Sequence, residues 1–281
     1  SGDRSLDVAL GQRFNHDPRL VYLVLDEPSA SRARNLGIQH ARADIVVFSD
    51  DDVEVDRDWL RAYVDAFAAC CGEPAVVGGR LDARWLSPRP RWLPAPKEYL
   101  LGIYSKGDGL GLMPEPDQPI GANFAAHRKV VDAVGPFDER IGPSYTRKRG
   151  KIYGEDALFS MRARQAHYPV YYQAAARSWH KMSARKLTRV NFVRRSFWEG
   201  VTLLTIMHLS GAVPADHWRR VVRWHTREIG HASKQLARVL LGRTRTTHPA
   251  QDTMETVSAL AHSAGVIRAA LKLRATGRLP W

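Results

Sequence analysis

The sequence predicts an α/β fold followed by a helical segment. Short aliphatic and β-branched runs at residues 20–25, 45–48, 75–77, 122–126 and 170–173 have the length and character of buried strands. Between them, residues 29–43, 59–67, 128–134 and 156–165 keep helical spacing. From residue 187 onward strand signals vanish, and amphipathic stretches with Trp and Arg take over. With 281 residues, 44% of them hydrophobic, the chain is long enough for one large domain of this kind and too apolar for disorder.

In chain order, 20–25 reads as a buried strand, 29–43 as a helix and 45–48 as a second, fully buried strand that stops at Ser49-Asp50-Asp51-Asp52. Strand, helix, strand within about thirty residues is a βαβ unit, and open α/β sheets bind ligands at the C-terminal ends of such strands. Asp56 is placed to cap the next helix, whose Trp59, Leu60, Tyr63, Val64 and Phe67 keep a helical period. Residues 86–119 break the alternation. Nine of the sixteen prolines lie between residues 86 and 143, so a long irregular excursion is expected, and loops of that length are functional or flexible. A turn at Pro136-Phe137-Asp138 and a basic, glycine-bounded loop from Gly142 to Gly154, with Arg147, Lys148, Arg149 and Lys151, precede helix 156–165. Strand 170–173 leads to Trp179-His180. A boundary near Arg185 divides the chain into 1–184 and 185–281, and no internal repeat is visible.

The longest apolar stretch, residues 201–207, ends at His208, well short of the roughly 20 residues that span a bilayer. Cys70 and Cys71 are neighbours on a predicted helix and cannot pair, which fits a reducing, cytoplasmic setting. The chain opens at Ser1 without a basic-then-apolar leader and reads as a processed start or the edge of a longer chain. Charge is unevenly placed. The total is +13, and residues 185–281 hold seventeen Lys and Arg against five Asp and Glu, a net +12. A polyanionic surface near that segment is implied, membrane lipid or nucleic acid. Trp198, Trp218 and Trp224, interleaved with Arg194-Arg195 and with Arg219, Arg220 and Arg223, suit the headgroup level of an anionic membrane. Plain packing on the preceding domain is the equal alternative. Nucleic acid is the weaker partner, because no recognised nucleic-acid module is present. The expected location is cytoplasmic, at the periphery of the inner membrane face.

Three consecutive aspartates after a buried strand crowd negative charge at one point and call for a positive partner. A Mg²⁺ or Mn²⁺ ion answers this, taking one or two carboxylates plus the oxygens of a substrate diphosphate. A solvated acidic turn capping the next helix is the competing reading. Gly154-Glu155-Asp156 opens a helix, so a carboxylate there serves either as a base for an acceptor hydroxyl or as a cap favoured by the helix dipole. His180, 24 residues after Asp156, either completes a metal shell begun by carboxylates or packs beside Trp179.

The order of these elements is informative. Ser31-Arg32-Ala33-Arg34-Asn35-Leu36-Gly37, residues 43–49 with Asp50-Asp51-Asp52, Gly121-Ala122-Asn123-Phe124, Val134-Gly135-Pro136-Phe137-Asp138-Glu139, Gly154-Glu155-Asp156 and His180 follow one another in a way that resembles family 2 glycosyltransferases, over about residues 1–182. The resemblance implies a GT-A-like sheet flanked by helices that binds a nucleotide sugar, a catalytic domain over 1–184, and a basic amphipathic helical segment over 185–281. It implies that Asp52 binds the metal, that Asp50 lies near the ribose or the metal's water shell, and that His180 completes the metal site. Asp156 resembles the catalytic base, with Glu155 orienting the acceptor. Arg34 and Asn35 would sit beside the nucleotide or support the acidic loop, Asp51 would bind the nucleotide donor, and Gly121, Ala122 and Asn123 would line the donor-sugar and acceptor pocket. The implied reaction is an inverting, metal-dependent transfer from a nucleoside-diphosphate sugar to a hydroxyl acceptor. The basic tail resembles those of enzymes that glycosylate lipid-linked or cell-surface glycans. One departure stands out: family members begin with further strands at the floor of the nucleotide pocket, and here roughly forty residues of that pattern are absent before Ser1-Gly2-Asp3. A fragment of a longer protein, or loss of base recognition, is therefore expected. A catalytically silent scaffold subunit is the alternative function.

Overall fold

The computed structural model describes residues 17–27, 29–70, 72–143, 152–211, 218–243 and 247–276. Ser1-Gly2-Asp3, Cys71, the basic residues Arg147, Lys148, Arg149 and Lys151, and Trp281 lie outside the described residues. Helix α1 (Ala30–His40) precedes strand β1 (Ile45–Ser49), and the acidic loop leads to β2 (Val53–Val55) and α2 (Trp59–Ala69). Strand β3 (Val76–Trp85), a 3-10 turn (Ala95–Leu101), β4 (Leu110–Leu112), β5 (Asn123–His127) and α3 (Arg128–Val134) follow. After α4 (Glu155–Gln165) and the long β6 (Val170–Met182), the described chain is helical through α5 (Arg189–Leu209), α6 (Trp218–Leu240) and α7 (Pro249–Thr276).

The class is the expected one, a sheet flanked by helices and followed by a helical segment. Its strands run in the order β1-β5-β3-β6-β2, with β4 on β6. Among the described residues only β3 and β6 pair in parallel; β1–β5, β3–β5, β2–β6 and β4–β6 are antiparallel. Because β1 and β2 stand at opposite ends of that order, Asp50, Asp51 and Asp52 cross the end of the sheet between them. The loop is thereby carried toward β6, where Val53 pairs with His180.

Several expectations are corrected. Residues 20–25 form no strand: no described strand pairs with them, and a run without a ladder has nothing to hold it in a sheet. Leu20, Val21 and Val24 are exposed. The proposed βαβ unit is therefore a helix and a strand, and β1 is half-buried, with Val46 and Phe48 inside. Leu60 and Val64 face outward on α2, while Trp59, Tyr63 and Phe67 form the buried stripe. Strand β6 does not stop at residue 173. Its pairing with β3 slips between Gly79 and Arg80, where residues 174–176 bulge out, and then resumes through Met182, so His180 lies inside a strand.

The aromatic core lies directly under the acidic loop. Phe48 stacks on Phe124 at 4.5 Å between centroids, and Phe137 of the Gly-Pro-Phe-Asp turn stacks on Phe159 of α4 at 4.9 Å. These rings fix β1, β5 and α4 relative to one another and so position what each carries at its end. The helical segment packs on the same body. Ile141, Ile152 and Leu158 share a cluster with Val201, Leu204, Ile206, Val266 and Ala269. Helices α5 and α7 approach very closely through reciprocal glycines: a Cβ at Gly200 would stand 2.1 Å from the His262 carbonyl oxygen, and one at Gly265 would stand 2.0 Å from that of Phe197.

Candidate functional site

A cavity of about 2100 Å³ opens at the end of the sheet. Its walls include Arg34 of α1, Asp50, Asp51 and Asp52, Gly121 and Ala122 before β5, Glu155 and Asp156 of α4, and His180 of β6. Nine of the eleven residues expected at the site therefore share one cavity.

Arg34 holds the acidic elements together. One guanidinium nitrogen pairs with Glu155 and another lies 3.1 Å from Asp50 Oδ1, so helix α1 ties β1 to α4. Burial of Glu155, with Asp156 beside it, pushes its carboxyl up to about 7 against the pull of Arg34. Its second oxygen, Oε2, is buried and has no hydrogen-bond partner among the described residues. Burial also pushes Asp50 up, with Asp52 and Asp156 adding to it. Glu155 is thus paired with Arg34 in a largely buried contact.

Asp156 is presented by backbone geometry. Gly154, with φ of +94°, takes the left-handed conformation that turns the chain into α4, and glycine adopts it without strain. The two residues that follow then lie in the first turn of the helix. The Ala157 N–H donates to Asp156 Oδ1 at 2.8 Å and the Gly121 N–H donates to Oδ2, fixing the carboxylate at the cavity wall. A fixed carboxylate beside a ligand cavity can take a proton from a hydroxyl placed against it.

On the opposite side, Asp52 Oδ2 faces His180 Nε2 at 3.3 Å. Lys186 Nζ reaches both, at 2.5 Å from Asp52 Oδ2 and 3.0 Å from His180 Nε2. Contacts with His180 and Lys186 hold the Asp52 carboxyl well below the usual carboxylate range. His180 Nδ1 lies 3.3 Å from the Gly102 carbonyl, so its other ring nitrogen, Nε2, is turned toward Asp52 and Lys186. A carboxylate oxygen and an imidazole nitrogen converging this way are donor types that Mn²⁺ or Mg²⁺ accepts. No group of three or more His, Cys, Asp and Glu side chains poised for a metal occurs among the described residues. The residues present therefore fit a cation whose shell is completed by ligand oxygens and water.

Two expected site residues are elsewhere. Asn123 is buried inside the sheet: its Oδ1 accepts from Trp59 Nε1 and Tyr63 Oη, both at 2.7 Å, and its Nδ2 donates to the carbonyls of Arg80 and Ala176, both at 2.8 Å. Its amide oxygen is thus spent on α2 and its amide nitrogen on the β3–β6 bulge. Asn35 is likewise spent on the fold, accepting from the Phe137 N–H at 2.9 Å and donating to the Phe137 carbonyl at 3.0 Å, which pins the Gly-Pro-Phe-Asp turn under the site. Among the cavity residues not singled out from the sequence as site residues are Lys186, which carries no local signal, and Arg195, whose Arg-Arg-Ser-Phe-Trp context suits a membrane face and packing on the preceding domain equally. In the structure, Arg195 lines the cavity with its guanidinium 5.2 Å from the Tyr153 ring, while Phe197 and Trp198 pack among the helices beneath Arg268.

Residues 1–135 match the model of glycosyl transferase family 2. A glucosyl-dolichyl phosphate glucuronosyltransferase from Haloferax volcanii is 29% identical over 172 residues, covering 60% of this chain and 53% of the relative. The chain thus spans about half the length of that relative. Among solved structures, GalNAc-T7 with UDP, GalNAc and Mn²⁺ is 14% identical with a TM-score of 0.48, covering 76% of this chain and 44% of that one. TarS 1–349 of S. aureus in complex with UDP-GlcNAc is 12% identical with a TM-score of 0.45, covering 94% and 79%. The matched segment contains α1, β1, the Asp50–Asp52 loop and the Gly121-Ala122-Asn123 strand entry, so the likeness to glycosyl transferase family 2 extends over just under half of the chain.

Proposed function

We propose that the protein is an inverting glycosyltransferase moving a sugar from a nucleoside-diphosphate sugar to a hydroxyl of a lipid-linked or cell-surface glycan. The observation that carries this reading is the meeting of the Asp50–Asp52 loop, Arg34–Glu155, Asp156 and His180 at one cavity. The family match over residues 1–135 supports the reaction class, and the dolichyl phosphate in the name of the Haloferax relative supports a lipid-linked acceptor.

Asp52 and His180 would hold a Mn²⁺ or Mg²⁺ ion, which when bound supplies positive charge for the diphosphate leaving group. Asp51, Gly121 and Ala122 line the donor side, and Arg34, locked by Glu155, keeps the acidic loop in register with α4. Asp156 accepts the proton of the acceptor hydroxyl as its oxygen forms the new bond to the anomeric carbon. The bond from that carbon to the phosphate oxygen breaks, and its electron pair leaves with the nucleoside diphosphate. One in-line displacement inverts the anomeric centre.

The test is Asp156→Asn. Binding of the nucleoside-diphosphate sugar should persist while turnover falls by about 10²-fold or more, the scale for loss of general-base catalysis. Parental turnover in this variant would reduce Gly154-Glu155-Asp156 to a helix start.

A further inference from the structure

The cations of the cavity differ in how they are used. Both contacting nitrogens of Arg34 go to Glu155 and Asp50, and Lys106 pairs with Asp117. Arg164 donates to the carbonyls of Asp117 and Met113. Arg195 is different. Its Nε donates to the Leu100 carbonyl, its guanidinium lies over Tyr153, and among the described residues no carboxylate lies at ion-pair distance from it. A half-buried guanidinium on a ligand cavity without a counter-anion is poised for an anion from outside. Lys186 is paired, but with the one carboxylate that a cation would also claim. If Asp52 and His180 take a divalent ion, the ammonium between them must leave, and it needs another anion within reach.

We propose that Lys186 and Arg195 bind the diphosphate of the donor, with Lys186 exchanging Asp52 for a phosphate oxygen. This rests on the cavity being the sugar-nucleotide site, and it extends that site beyond residues 1–184. The strand end carrying the acidic loop and the start of the helical segment then form opposite walls of one site. The net positive charge after residue 185 has a use at the reacting centre as well as on the surface.

The probe is inorganic pyrophosphate, titrated calorimetrically into the whole chain at low salt with Mn²⁺ present to occupy Asp52 and His180. The parent should bind it, and Lys186→Met should weaken binding by about tenfold or more, the scale for losing a charge-assisted hydrogen bond. Arg195→Lys, which keeps the charge and spares the packing, should retain more affinity than Arg195→Met. Arg219→Gln, on the exposed face of α6, should bind as the parent does. Mn²⁺ alone, titrated without pyrophosphate, separates a binding role from a structural one. Lys186→Met should bind it as tightly as the parent or more tightly, because the competing ammonium is gone. Parental pyrophosphate affinity in Lys186→Met, loss of Mn²⁺ affinity alongside that of pyrophosphate, or a parent that ignores pyrophosphate overturns the proposal. Binding of a nucleoside-diphosphate sugar by the parent in any of these cases leaves the transferase reading standing. Its failure there removes both.

Discussion

Replacing Arg34 with Met should destabilise the protein by an amount that grows with pH. The Arg34 and Glu155 side chains are only 11% and 5% exposed, so Glu155 has no solvent to fall back on when its partner goes. In the parent, burial raises the Glu155 carboxyl to about 7. The folded state therefore holds this proton more tightly than the unfolded chain, where a glutamate titrates near 4.3. Stability on this account falls as pH rises toward 7 and levels off above it, once the carboxylate ionises against Arg34. Without Arg34 the folded-state value moves higher and the fall continues, at about 1.4 kcal/mol per pH unit. Between pH 7 and pH 9 the gap between parent and variant should widen by up to about 2 kcal/mol, while at pH 6, where both hold the proton, the ionisation of Glu155 adds little to it. Urea denaturation of both proteins at pH 6, 7, 8 and 9 measures this directly. A gap that stays constant across the series would refute the argument that Arg34 neutralises a buried Glu155.

Three further outcomes follow from named contacts. In Gly121→Ala the new Cβ would stand 2.7 Å from Arg34 Nη2 and 2.9 Å from Asp156 Oδ2, so turnover should fall at least about tenfold for a stability loss of about 1–3 kcal/mol; unchanged turnover would show that the position of Asp156 is not critical. Gly200→Ala would drive a methyl into the His262 carbonyl at 2.1 Å and should lower the melting temperature by several degrees, with α5 and α7 forced apart; a parental melting curve would contradict the close crossing. Arg219, Arg220 and Arg223 are exposed on α6 beside Trp224, itself 57% exposed. If this face meets anionic lipid, each charge contributes about 1 kcal/mol, and the triple Gln variant should lose about 10²-fold in sedimentation with anionic vesicles. Equal binding by variant and parent would make α6 a packing element.

What the sequence made legible was whatever rests on local pattern. The run at 45–48 became β1, residues 128–134 became α3 with the expected limits, and the order of acidic, Gly-Phe-Asp and Gly-Glu-Asp elements brought most site residues to one cavity. What stayed hidden depends on distant partners. Ala-Ala-Ala-Arg at 174–177 has weak strand propensity, and only pairing with β3 carries β6 across its bulge to His180. Residues 20–25 have strong strand propensity and no partner strand among the described residues. Asn35 and Asn123 sit inside recognisable motifs, yet their amides are consumed by partners distant in the chain, about 100 residues away for Asn35 and more than 40 for Asn123, which no local reading shows. Lys186 and Arg195 belong to the commonest surface residue types. Only the fold brings them to the acidic loop.

The central claim is that this cavity binds a nucleoside-diphosphate sugar through the acidic loop. Equilibrium titration with a panel of nucleoside-diphosphate sugars in the presence of Mn²⁺, for the parent, Asp52→Ala and Asp156→Asn, tests it most directly. The account predicts saturable binding of at least one member by the parent, retention in Asp156→Asn, and a loss of about 10²-fold or more in Asp52→Ala, where a charged ligand of the cation is gone. A parent that binds no member of the panel, or an Asp52→Ala variant that binds as the parent does, would contradict it.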